Sequence, residues 1–75
     1  MIPKKEIGER WVETLARVEA LLVVEHAMEY DDRKFLNDMK HRLIQYETRT
    51  FVTAKQLNYI SHLERTFMED HRGHG

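Results

Sequence analysis

Apolar side chains return every three or four residues through three separate stretches of this chain, and that rhythm most constrains its fold. Ile7, Trp11, Leu15, Val18 and Leu22 recur at spacings of four, four, three and four, which places them on one stripe of a helix. Leu36, Met39, Leu43 and Tyr46 follow at three, four and three, with Phe35 and Ile44 widening the face. Leu57, Ile60, Leu63 and Phe67 repeat the pattern. The reading is an all-α, compact three-helix domain with helices over about 4–30, 33–47 and 54–70. Residues 1–72 form the single domain, and 73–75 a disordered tail.

Local signals set the boundaries. Pro3 is favoured in a helix's first turn and opens the first helix. Asp31-Asp32 interrupts the apolar rhythm with residues that cap well, so the chain turns there. A straight continuation of helix one into helix two is the alternative. Thr53-Ala54-Lys55-Gln56 has the form of a capping box, in which Thr53 and the third helical residue exchange hydrogen bonds with each other's backbone. Val52 and Leu57 match the accompanying hydrophobic staple. The third helix therefore starts at Ala54. The connection Thr48–Val52 carries β-branched residues that disfavour helix, and Phe51 is expected to plug the open end of the helix pair.

A chain of 75 residues without cysteine must find its stability in helix packing or self-association. Folding at this size buries about 60–65% of the unfolded surface. Disulfides, iron–sulfur clusters and thiolate zinc sites are excluded. The longest apolar run, Ala20-Leu21-Leu22-Val23-Val24, is five residues, against about 20 for a membrane-spanning helix. Lys4 and Lys5 are not followed by an apolar stretch of signal-peptide length. The expectation is a cytoplasmic protein with no membrane role.

The net charge of −1 conceals a polarity. Residues 1–32 carry −4, residues 33–50 carry +3 through Arg33, Lys34, Lys40, Arg42 and Arg49, and residues 51–75 balance. An acidic first element facing a basic second one most simply means that the two pack together. The sharper reading is a basic binding face on the second element.

Little points to catalysis. No nucleophile motif, Gly-rich phosphate loop or paired-carboxylate pocket is visible, and Ser61 is the only serine. Glu25 and Glu29, one helical turn apart, read as a solvated face. His71 and His74 lie in a Gly-bounded tail with nothing to orient them, whereas a zinc site needs fixed ligands and a supporting shell. His26 reads as a packing or interface residue, and His41 and His62 fall on polar faces. No enzyme activity, cofactor, metal or small-molecule substrate is expected.

Two binding surfaces remain. Between Ala20 and Met28 the first helix is apolar over more than half its circumference, more than one partner helix covers. Leu21, Val24 and Met28 would anchor a protein partner or a second copy in a homodimer. The outer face of the third helix carries Lys55, Asn58, Tyr59, His62 and Arg65 at helical spacing. With Arg42 and Arg49 these could contact nucleic acid, the cations on phosphates and the rings on unpaired bases. Residues 33–67 carry +4, although a pI near 6.5 is low for an autonomous nucleic-acid binder.

Phe35-Leu36-Asn37-Asp38-Met39, Arg42-Leu43, Tyr46, Arg49-Thr50-Phe51 and Thr53-Ala54-Lys55-Gln56-Leu57 together resemble a helical hairpin of small uncharacterised phage and bacterial proteins. There an apolar helix ends in Tyr and the next begins with Ser/Thr-x-Lys-Gln. The resemblance covers residues 35–67 and implies a phage-like setting and association with nucleic-acid machinery. It transfers no catalytic residue. The leading expectation is a non-enzymatic helical protein-interaction module, a phage-type regulator or inhibitor of host transcription, replication or defence machinery. A small nucleic-acid-binding module is the alternative.

Overall fold

The computed structural model describes residues 5–68. Three α-helices form the body: α1 (Trp11–Leu22), α2 (Tyr30–Tyr46) and α3 (Ala54–Phe67). Two short strands, β1 (Lys5–Glu6) and β2 (Phe51–Val52), pair antiparallel, with Lys5 opposite Val52 and Glu6 opposite Phe51. The Ile7 N–H extends this pairing by donating to the Thr50 carbonyl at 2.8 Å. The expected three-helix, all-α domain is present, and the minimal ribbon ties its N-terminal end to the α2–α3 connection.

The apolar stripes meet in one core of Val18, Leu21, Met28, Leu36, Met39, Leu43, Val52, Ile60 and Leu63. Ile7, Trp11, Leu15, Leu22, Phe35, Leu57 and Phe67 pack around it. Periodicity therefore named the inward faces of all three helices correctly. At the end of α2 the rhythm overreaches: Ile44 and Tyr46 are about half exposed.

Helix one is shorter than its pattern suggested. Pro3 lies outside the described residues, and the chain from Lys5 to Glu6 is extended. Gly8 adopts φ +68°, a left-handed conformation that no regular helix accommodates, so the α-helix begins only at Trp11 after a single 3-10 turn over Gly8–Arg10. At the other end α1 stops at Leu22, and a second 3-10 turn spans Glu25–Ala27. A straight helix would carry Met28 about 9 Å past Leu22 at 1.5 Å per residue. Turning back instead delivers Met28 to the core, where it is buried.

The expected break at Asp31-Asp32 is therefore misplaced. Both residues lie in the first turn of α2, where carboxylates favour the positive end of the helix dipole. The Arg33 guanidinium closes the turn by donating from Nη1 to the Met28 carbonyl at 2.6 Å. The start of α3 is as expected. Thr53 Oγ1 accepts from the Gln56 N–H at 3.1 Å, and Gln56 Oε1 accepts from the Thr53 N–H at 3.0 Å.

The connection after α2 alternates as a strand does. Thr50 and Val52 are buried and Phe51 between them faces solvent, the two-residue period of extended chain. Phe51 thus does not plug the helix pair; Thr50 and Val52 do. Thr50 Oγ1 donates toward the Glu47 carbonyl at 2.8 Å and the Arg42 carbonyl at 3.2 Å. The Glu47 carbonyl also accepts the Thr50 N–H at 3.1 Å, so Thr50 closes the turn that follows α2 through both its backbone and its hydroxyl.

Candidate functional site

Helix one offers no apolar anchor of the kind its sequence suggested. Leu21 and Met28 are in the core and Val24 is half-buried against it. The wide apolar zone exists because one sector faces α2 and α3 while the chain reversal brings Met28 around to the same interior. Of the large apolar side chains in that zone only Val23 stands out, 77% exposed. His26, expected to pack, is exposed on the intervening turn.

The row on α3 is only partly as expected. Lys55, Asn58, His62 and Arg65 are all exposed. Tyr59 is committed to the fold: its ring lies 4.4 Å from that of Phe35 at an interplanar angle of 44°, and its hydroxyl donates to Asp32 Oδ1 on α2. That hydrogen bond to a carboxylate, with partial burial, pushes the Tyr59 hydroxyl up to about 12. A ring so held is not free to stack on a base. His62 lies beside it, ring centroids 6.4 Å apart.

Arg42 and Arg49, which sequence reasoning attached to the α3 row, belong to a different place. Together with Tyr46 and Phe51 they line a depression of about 330 Å3 at the end of α2. Arg42 and Tyr46 are four residues apart on one helical face. The helix ends at Tyr46, a 3-10 turn over Glu47–Arg49 follows, and β2 then carries Phe51 back past α2. The Arg42 side chain spans this return, donating from Nη2 to the Phe51 carbonyl at 3.2 Å. Both aromatic residues are 51% exposed.

The electrostatics of the depression are simple. Among the described residues the only carboxylate ion pairs are Arg17–Glu64 and Lys34–Asp38. Arg42 and Arg49 take part in neither. Arg42 uses one N–H on the Phe51 carbonyl and keeps four of its five donors. Glu6, directly across the ribbon from Phe51, shares its face of the pair and supplies a negative charge at one side.

The two aromatic members were missed at the level of sequence. The helical period places Tyr46 in the α2 core stripe, and the position of Phe51 in the connection suggests a plug. The signal that would have found Phe51 is the alternation Thr50-Phe51-Val52, with β-branched residues on either side.

No group of three or more His, Asp or Glu residues is placed to hold a metal among the described residues; His71 and His74 lie outside them. No helix among the described residues is long and apolar enough to cross a membrane. The chain matches no family model, no curated protein and no solved structure.

Proposed function

We propose that this chain is a small, non-enzymatic nucleic-acid-binding module that uses Arg42 and Arg49 at the end of α2 as its phosphate contacts. The observation carrying this reading is that both guanidinium groups line one depression and neither has a carboxylate partner among the described residues. Arginine's planar fork of donors suits phosphate oxygens, and such contacts fix a protein on a nucleic-acid backbone. Lys55, Asn58, His62 and Arg65 would extend the contact along α3, without Tyr59.

A protein-interaction module anchored on Leu21, Val24 and Met28 is the weaker reading, because that anchor lies inside or against the core. A phage-like, cytoplasmic setting next to nucleic-acid machinery accords with the preferred one and with a chain that has no cysteine. The test is a salt titration of binding to labelled single- and double-stranded DNA and RNA. Affinity should fall along a straight line in log–log form as phosphate contacts release counterions. Absence of binding at low salt overturns the reading and returns a protein partner to first place.

A further inference from the structure

Resting on that nucleic-acid reading, we propose that the depression lined by Arg42, Tyr46, Arg49 and Phe51 takes a single strand, with an unpaired base stacked on Tyr46 and Phe51 and the adjoining phosphates on the two arginines. Three features favour a single strand over a duplex. Tyr46 and Phe51 are each 51% exposed as residues and line a depression whose other members are cations. Aromatic faces beside arginines are how sequence-tolerant single-strand binders hold bases and backbone at once.

The second feature is what a duplex offers. Its base faces are covered by their neighbours, leaving only edges in the grooves. Exposed rings at the rim would meet sugar and phosphate and gain little. The third is the supporting backbone. Duplex readers lay a helix face or a two-stranded ribbon along the major groove. These four residues instead cluster around a helix end, a 3-10 turn and a two-residue strand, a concave corner rather than a ridge.

The arrangement is also held in place before any ligand arrives. The backbone of Phe51 is placed by the β1–β2 pairing, and the Arg42 side chain by its hydrogen bond to the Phe51 carbonyl at 3.2 Å. Less side-chain freedom is then lost on binding.

Fluorescence anisotropy of the full chain with four probes of equal length tests the inference: labelled oligothymidylate, labelled oligouridylate, an abasic deoxyribose-phosphate oligomer, and oligothymidylate annealed to oligoadenylate. The base-bearing single strands should bind about tenfold more tightly than the abasic strand or the duplex. Tyr46→Ala and Phe51→Ala should each remove about that factor, and Tyr46→Phe, which keeps the ring, should restore it. Circular dichroism checks that each variant is folded, with Phe51→Tyr as the ring-preserving control at the strand position. Equal binding of all four probes, unchanged by Tyr46→Ala, overturns the stacking inference and leaves the phosphate reading standing. No binding of any probe at low salt overturns both.

Discussion

Arg17 on α1 grips Glu64 on α3 side-on. Its Nε donates to Oε2 at 2.9 Å and its Nη2 to Oε1 at 2.7 Å, while Nη2 also reaches Ser61 Oγ at 3.2 Å. The two side chains are 28% and 25% exposed, so solvent screens them only in part. A two-pronged, charge-assisted contact across 47 residues of chain closes α3 onto α1. The Arg17 hydrogen bonds hold the Glu64 carboxyl below its ordinary range, outweighing the effect of burial.

Arg17→Ala should therefore cost about 1 kcal/mol of folding stability. Arg17→Lys should recover only part of this, since lysine lacks the planar fork. The pH dependence has a defined sign. A carboxyl with a lowered folded-state pKa contributes stability fully above its unfolded value, and loses it as pH falls through the lowered one. Urea denaturation from neutral to acid pH should show the wild type losing more stability than Arg17→Ala. Parallel curves would mean that the pair contributes nothing.

Tyr59 gives the opposite case at alkaline pH. Its hydroxyl donates to Asp32 and its pKa is raised to about 12, against about 10 for free tyrosine. The neutral form is the one the fold favours, so its contribution is complete below about pH 10 and disappears as pH rises through the folded value. Tyr59→Phe keeps the packing on Phe35 but removes the proton. The variant should be less stable at neutral pH and should lack the wild type's added loss of stability on alkalinisation. Thermal denaturation of the two proteins between neutral and strongly alkaline pH makes the comparison.

Among the described residues two hold positive φ, and they should answer oppositely to substitution. Gly8 at +68° has open space where a Cβ would sit. Gly8→Ala should thus cost only the backbone strain, about 1 kcal/mol. Glu47, at φ 51° and ψ −120°, ends α2 in a conformation that a side chain resists. Glu47→Gly should stabilise by about 1 kcal/mol, the relieved strain exceeding the entropy added to the unfolded chain. Chemical denaturation of both variants measures the pair of signs.

Thr50 is buried and its hydroxyl serves two carbonyls near the end of α2. Thr50→Val preserves the shape and leaves those carbonyls without that donor. A loss of about 1–2 kcal/mol is expected. Hydrogen exchange in α2 should show its last turn opening more readily than the rest of the helix. Uniform exchange along α2 would count against a local latch.

The inward faces and the start of α3 were legible because each depends on nearest neighbours along the chain. Ile60 and Leu63 follow from a helical period, and Thr53 with Gln56 from reciprocal hydrogen bonds three residues apart. What escaped depends on how distant segments meet. Leu21 and Met28 looked like a surface excess because nothing local shows the chain reversing between them. Tyr59 looked like a free ring because its partners, Asp32 and Phe35, lie on another helix. Tyr46 and Phe51 carried the most weight in the candidate site and were the hardest to read. One ends an apolar helix, and the other sits in a two-residue strand, where the alternation Thr50-Phe51-Val52 is too short to stand out as a period.

Phosphate contacts from Arg42 and Arg49 at the end of α2 are the core of the proposed nucleic-acid binding. Its most direct test compares the salt dependence of single-strand binding in wild type, the Arg42→Ala/Arg49→Ala double variant and the Lys55→Ala/Arg65→Ala double variant. Each phosphate contact on a single strand contributes about 0.7 to the log–log slope. Losing Arg42 and Arg49 should flatten the slope by about 1.4 and weaken binding more than losing Lys55 and Arg65. A slope unchanged in the Arg42/Arg49 variant, with the loss confined to the Lys55/Arg65 variant, would contradict it and place the contact on α3 instead.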